Sequence, residues 1–378
     1  MTEFRRLMPV ARKWAYFDHA AVAPLPAPTG EAIAAWAREA VEEGDTAWLN
    51  WSQKVESLRK AAAALIAAEP EEIALTPNTT AGVNFVAEGF PWKEGDNVVT
   101  LANEFPTNQY PWLNLASRGV ETRRVPVENG VVDLNRLAEA CDARTRIVAV
   151  SWVGFASGYR LDVRQTAQMA HDRGALLFLD AIQGLGVFPL DVHAAGVDFL
   201  AADGHKWMLG PEGAGLFFIR REHLDLLRPM NVGWHSVRQW RDYSYIELDV
   251  RPEAARYEGG SQNMVGMIGL GASLALLTSL GVGPQESPIA QRVLEITDYA
   301  CRRLEEIGAT IVSCREPEHA SGIVSFSLAG RDLRLERQRL LQAGVVLSYR
   351  GDNLRISPHA YNNEDDVERL ITTLTATS

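Results

Sequence analysis

Cysteine is scarce in this chain. Only Cys141, Cys301 and Cys314 occur among 378 residues, and no two of them stand at C-x-x-C spacing. A disulfide framework and a zinc knuckle are therefore not expected. No apolar run approaches the roughly 18 residues that a membrane span needs. The first ten residues carry Arg5 and Arg6 but no apolar stretch behind them, so a secretory signal is not expected and a cytoplasmic location is. Basic residues are also in deficit: 37 Lys and Arg stand against 48 Asp and Glu, a formal net charge of -11. Phosphate contacts need clustered Lys and Arg, so a nucleic-acid-binding surface is not expected.

What remains is an ordinary globular composition, 47% hydrophobic and 22% charged. The length exceeds what one core comfortably serves, so more than one domain is expected. Continuous apolar runs predict buried strands at 97–102, 121–127, 146–153, 175–179, 199–202 and 215–219. Helical periodicity lies between them at 107–117, 133–140 and 163–173. That alternation predicts an α/β fold with a mostly parallel sheet sandwiched by helices. From residue 285 the pattern changes to a helix over 289–307, strands at 323–328, 345–349 and 353–357, and a helix from 364, which reads as a smaller α+β unit. The predicted division is an N-terminal segment (1–25) packing with the small domain, a large domain (26–260), and a linking helix with the small C-terminal domain (261–378).

Two segments carry chemistry. The run Phe178-Leu179-Asp180 delivers a carboxylate at the end of a buried strand, and the run from Phe199 delivers Lys206 out of the turn Asp203-Gly204-His205. A lysine amine able to form a Schiff base, with a carboxylate able to keep a pyridine nitrogen protonated, suits pyridoxal 5'-phosphate (PLP) above other cofactors. Burial would lower the lysine pKa and favour the neutral nucleophile. Polar residues from Thr76 to Thr80 precede an apolar-periodic helix, and a helix N-terminus of this kind can hold a phosphate. Phe105, just past a strand end, can stack on a planar ring. The glycines at 266, 269 and 271 neither fit G-x-G-x-x-G nor follow a buried strand, so they are not read as a dinucleotide site.

Over nearly its whole length the chain resembles the class V aminotransferase family of fold-type I PLP enzymes, in the branch of selenocysteine lyases, cysteine desulfurases and isopenicillin N epimerase-like proteins. The motifs occur in order: Tyr16-Phe17-Asp18-His19, Asn78-Thr79-Thr80, Asp180-Ala181-Ile182-Gln183, Gly204-His205-Lys206, Glu258-Gly259-Gly260-Ser261, and Leu354-Arg355-Ile356-Ser357-Pro358. The resemblance implies a large domain with a seven-stranded sheet. It makes Lys206 the Schiff-base lysine and Cα proton shuttle, and Asp180 the partner of the pyridinium nitrogen. It gives Gln183 to the ring hydroxyl, Phe105 to the ring face, and Thr79, Thr80 and His205 to the phosphate. Gly260 and Ser261 would reach the phosphate of a second subunit, which implies a homodimer with composite sites. Arg355 would pair with the substrate α-carboxylate, with His19 also on the substrate side. The implied activity is attack on a small amino acid through an external aldimine and Cα deprotonation. The segment 349–354 has no cysteine where desulfurases of this group carry one, so the expectation is a selenocysteine lyase- or desulfurase-like lyase without a persulfide cysteine. An aminotransferase, an epimerase and a catalytically inert PLP binder are the alternatives. No metal site is expected.

Overall fold

A computed structural model of the chain describes residues 1–376. Strand β1 (Ala15–Tyr16) is followed by seven strands that share one sheet: β2 (Ile73–Thr76), β3 (Asn97–Leu101), β4 (Glu121–Val125), β5 (Thr145–Ser151), β6 (Leu176–Asp180), β7 (Phe199–Asp203) and β8 (Gly215–Ile219). Their spatial order is β2-β8-β7-β6-β5-β3-β4. Pairing is parallel from β4 across to β7, and β8 runs antiparallel to both β7 and β2. This is the mostly parallel α/β sheet that the alternating pattern predicts.

Alternate residues of the central strands feed two separate cores. Leu177, Leu179, Leu200, Ala202, Leu216 and Phe218 pack on one face, while Phe178, Phe199, Ala201 and Phe217 pack on the other. A strand covered on both sides has no polar face, which is why these segments read as unbroken apolar runs. Helices Trp48–Leu65, Val163–Asp172 and Met264–Ser279 cover the first face, and helix Thr79–Gly89 covers the second. The two edges depart from the apolar pattern. In β4, Arg123 and Arg124 are not buried, in keeping with an edge strand that discourages further pairing. At the other edge β2 has only four residues and was not anticipated as a strand.

The second half adds β9 (Ala309–Ile311), β10 (Val324–Leu328), β11 (Val345–Val346), β12 (Ser348–Arg350) and β13 (Asn353–Ile356). Four of them form an antiparallel sheet in the order β12-β13-β10-β9, and helices Pro288–Glu306 and Glu364–Thr375 share its core. β1 pairs in parallel with β11, and a bridge joins Asp18 to Ser357, so the N-terminal segment is stitched to this unit. Among the described residues, no helix is long and apolar enough to cross a membrane.

One buried ion pair sits beneath the large sheet. Arg59, on helix Trp48–Leu65, pairs with Glu258, and its guanidinium also donates to the Ile73 carbonyl at 2.8 Å. Glu258 in turn accepts from the Leu75 amide at 2.8 Å and from the Gln262 side chain. The pair thus ties a helix, an edge strand and the 258–262 segment together. Removing one partner leaves a buried charge uncompensated, which typically costs about 3–5 kcal/mol. Arg59→Met should therefore lose about that much stability in urea unfolding, whereas a loss below about 1 kcal/mol would show that the pair is not a structural tie.

Candidate active site

The parallel register places two strand ends side by side. Asp180 ends β6 opposite Ala201 of β7, and β7 ends two residues later at Asp203. The chain then turns through Gly204 and presents Lys206. A Cβ at Gly204 would lie 2.6 Å from Leu270 Cδ1 and 2.8 Å from the Ala214 carbonyl, so this close turn requires glycine. Helix Thr79–Gly89 approaches the same strands from the opposite face. A Cβ at Gly82 would fall 2.6 Å from Ala201 Cβ, so glycine there lets the helix settle onto β7 with its N-terminus beside the Lys206 turn. Asn78 caps that helix by accepting from the Ala81 amide at 2.9 Å. Thr79 Oγ1 accepts the Asp203 amide at 2.9 Å, locking helix start to strand end.

These elements enclose a cavity of about 440 Å³. Its lining brings together Thr79, Thr80, Phe105, Asp180, Gln183, His205, Lys206 and Arg355, eight of the eleven residues that the sequence nominated. Phe105 is half-exposed at the wall, and its ring centroid lies 5.6 Å from Lys206 Nζ. Arg355 arrives from β13 and is 1% exposed. It donates to the Phe155 carbonyl at 2.5 Å and to Asp18 Oδ1 at 3.2 Å, while its buried Nε has no protein partner among the described residues.

The electrostatics are dominated by burial. Loss of water pushes the Asp180 carboxyl up to about 6, although the Ile182 amide (3.1 Å) and the charge of Lys206 favour its ionised form. Burial brings Lys206 down to about 8, against the opposing pull of Asp180. Behind this pair Glu104 is raised to about 7, chiefly by burial, while it accepts the Ser151 amide at 2.7 Å and the Ser151 hydroxyl. A lysine held near neutrality beside a buried carboxyl is the pairing that a Schiff-base cofactor requires.

The residues present fit PLP. The helix start and the hydroxyl of Thr80 offer donors for a phosphate. His205 Nδ1 is buried and 3.1 Å from Asp203 Oδ1, but the two are not aligned as a hydrogen bond, which leaves the imidazole unsatisfied within the chain. Phe105 supplies a ring face, and Asp180 a carboxylate for the ring nitrogen. Gln183 is more constrained than expected: its Nε2 donates to the Ala20 carbonyl at 3.0 Å, and its Oε1 accepts from Trp207 Nε1 at 2.8 Å. One Nε2 hydrogen remains for a ring oxygen.

Three nominated residues lie elsewhere. His19 is fully buried behind the cavity, with Nδ1 2.8 Å from the Ser357 carbonyl and Nε2 2.9 Å from the Tyr361 hydroxyl. Both ring nitrogens are occupied and burial holds the imidazole neutral, so in this structure His19 fastens the N-terminal segment and does not face a substrate. Its neighbour Asp18 is the residue that reaches the site, through Arg355. Gly260 and Ser261 line a separate cavity with Leu75, Phe85 and Tyr257. Sequence reasoning gave no role to Ser151, Thr107, Arg350 or Asn78, all of which line the site. Asp18 and Asn78 had a signal, each standing in a quoted motif beside a nominated residue. None of the three cysteines lines the cavity; Cys141 and Cys301 are buried and Cys314 is half-buried.

Comparison with known proteins agrees with this geometry. The aminotransferase class-V family matches residues 15–370. A Methanothermobacter thermautotrophicus protein named a "probable cysteine desulfurase" is 32% identical over 98% of this chain and 96% of its own. A Bacillus subtilis "uncharacterized aminotransferase" is 27% identical over 99% of this chain and 97% of its own. The apo structure of a cysteine desulfurase from Thermococcus onnurineus superposes with a TM-score of 0.87 at 26% identity, covering 98% of this chain and 96% of that one. The family match over residues 15–370, with a relative 32% identical over nearly the whole chain, places this chain in the aminotransferase class-V family of PLP enzymes.

Proposed function

We propose that this chain is a homodimeric PLP-dependent lyase that removes a sulfur or selenium group from Cβ of a small amino acid, without using a cysteine of its own as sulfur acceptor. The observation that carries the reading is that Lys206, Asp180 and Arg355 line one cavity while no cysteine does. Bound PLP would supply the electron sink for negative charge developing at Cα. Lys206 Nζ, which burial brings down to about 8, takes the Cα proton in its uncharged form. Asp180 would hold the proton on the ring nitrogen, its ionised form favoured by a positive charge beside it. Arg355, oriented by Asp18 and the Phe155 carbonyl, fixes the α-carboxylate. The Cβ–sulfur bond then breaks with its electron pair on sulfur, and the released aminoacrylate hydrolyses to pyruvate and ammonia.

The cysteines support the absence of a persulfide step. Burial raises the Cys141 thiol and pushes Cys301 up to about 11, both away from the reactive thiolate. The hairpin β12–β13 closes with two residues, Gly351 and Asp352, leaving no loop for a mobile thiol. The names of the Methanothermobacter and Thermococcus relatives support a sulfur-bearing substrate. Phe105 stands across from Lys206, with no proton donor of its own for the opposite face of Cα, which argues against epimerisation. Gly260 and Ser261, away from their own subunit's cavity, are assigned to the partner's phosphate.

The PLP-loaded chain should convert cysteine or selenocysteine to pyruvate with equimolar release of sulfide or selenide, and Lys206→Ala should abolish this. Stoichiometric conversion of the cofactor to its amine form, reversed by a keto acid, would make the chain a transaminase and overturn the lyase reading. Cys314→Ala should release sulfur at the rate of the unaltered chain, and loss of release would restore an enzymic acceptor. Arg355→Ala, which removes a charge-assisted pairing, should raise KM for α-carboxylate substrates roughly 10–100-fold. Uptake of PLP by the apo chain should accelerate with rising pH about a midpoint near 8, where Lys206 loses its proton. A midpoint near the ordinary lysine value would mean that burial does not tune this amine.

A further inference from the structure

The mechanism leaves one acid of the cavity without a task. Asp203 ends β7, lines the cavity and is buried. Its amide donates to Thr79 Oγ1 at 2.9 Å, so its backbone is fixed to the start of helix Thr79–Gly89, where a phosphate finds donors. A carboxylate beside a phosphate repels it, and a buried carboxylate also bears the cost of its own desolvation. Some group at this end of the cavity has to answer that charge.

The other charged residues of the lining are Asp180, Lys206, Arg350 and Arg355. Asp180, Lys206 and Arg355 have roles of their own, and the Arg350 side chain donates only to the Tyr349 carbonyl among the described residues. The helix start contributes Asn78, Thr79 and Thr80 to the lining, and no cation. What faces Asp203 is the ring of His205, two residues on. Nδ1 lies 3.1 Å from Asp203 Oδ1, both atoms are buried, and neither has a hydrogen-bond partner among the described residues. Buried polar atoms left unpaired are costly, and these two are within reach of each other. The opposite ring nitrogen, Nε2, has no hydrogen bond among the described residues and is not sealed from the cavity that the side chain lines. The backbone of His205 is fixed from the other side, where its carbonyl accepts the Ala23 amide at 2.8 Å.

Imidazole chemistry then restricts the arrangement. A neutral ring carries one N–H. If Nδ1–H donates to Asp203, Nε2 offers only a lone pair to a phosphate oxygen that is itself an acceptor. Both contacts are satisfied together only by the imidazolium, which has an N–H at each position and one positive charge.

We propose that Asp203 is a positioning residue that holds His205 as an imidazolium, with Nδ1–H donated to Asp203 and Nε2–H donated to the cofactor phosphate. The inference rests on the phosphate being held at this helix start, as the fit to PLP requires. The charge of the acid is answered locally, and the phosphate gains a charge-assisted bond that a neutral ring cannot give.

The test is a double-variant cycle, read from the rate at which the loaded protein releases PLP, followed by loss of the lysine-bound absorbance band. His205→Gln removes the cation and leaves Asp203 unanswered, so release should accelerate roughly tenfold or more. Asp203→Asn added to that variant removes the stray charge, so the double variant should release PLP more slowly than His205→Gln. Asp203→Asn alone should instead speed release, because the ring is no longer held charged. Opposite signs in the two backgrounds are the signature of a coupled pair, which a merely structural role would not produce. Nitrogen NMR of the loaded, histidine-labelled protein at mildly alkaline pH supplies a direct reading, with the His205 signal identified by its absence from His205→Gln. It should report an N–H at both ring positions in the unaltered protein and at one in Asp203→Asn. A singly protonated ring in the unaltered protein, or the same effect of Asp203→Asn in both backgrounds, would overturn the assignment. Failure of the parent reading is distinguishable, because it would appear as absence of the lysine-bound band. The ring signal is then read with inorganic sulfate in place of the cofactor, with the same two outcomes deciding.

Discussion

The structure is organised around the cost of taking two opposite charges out of water at adjacent strand ends. Asp180 and Lys206 are 3% and 8% exposed, and each is displaced by burial toward its neutral form. Their attraction offsets part of that cost but does not cancel it. A site built this way is poised: a positive charge arriving beside Asp180 would favour its carboxylate, and an amine brought down to about 8 loses its proton more readily than an ordinary lysine. The surrounding architecture meets the demands of that arrangement. Parallel pairing of β6 with β7 puts the acid and the Lys206 turn side by side, and Gly204 and Gly82 permit close approaches that any side chain would block.

What the sequence showed, and what it hid, follow from how each residue acquires its environment. β5, β6, β7 and β8 were legible because burial on both faces leaves an unbroken apolar signature in each. β4 is polar because it is an edge, and β2 is four residues long, so neither carries that signature fully. Lys206, Asp180, Phe105 and the polar run ending in Thr79 and Thr80 could be nominated because each stands at a recognisable local position, a strand end, a turn or a helix start, whereas Gln183, His205 and Arg355 were nominated through ordered motifs that resemble a family. His19 stands next to such a position too, yet the chain there sends alternate side chains in different directions. Asp18 turns to Arg355 while His19 turns to Tyr361. No local pattern distinguishes the two; only the packing of the second sheet does.

Ser151 and Arg350 illustrate the same limit more strongly. Ser151 lies at the site because β5 is next to β6 in the sheet, and it is held there by Glu104 from the strand–helix connection after β3. Arg350 reaches the site only because a two-residue turn sets the register in which it lies diagonal to Arg355. Both depend on contacts between segments remote in sequence, which composition and periodicity do not encode.

The cavity is therefore a product of two sheets, not one. Lys206, Asp180 and the start of helix Thr79–Gly89 belong with the large sheet, and Arg350 and Arg355 with the small one. The N-terminal segment couples them: β1 pairs with β11, Asp18 holds Arg355, and the Ala23 amide donates to the His205 carbonyl at 2.8 Å. Between Asp18 and Ala23 the chain thus touches both Arg355 and the turn that bears Lys206. Any shift of the small sheet that moved Arg355 would be felt at Asp18, and through this short segment at Lys206. Arg355 and the Lys206 turn are linked by a path of backbone and side-chain contacts, which makes the N-terminal segment part of the architecture of the cavity and not a tail upon it.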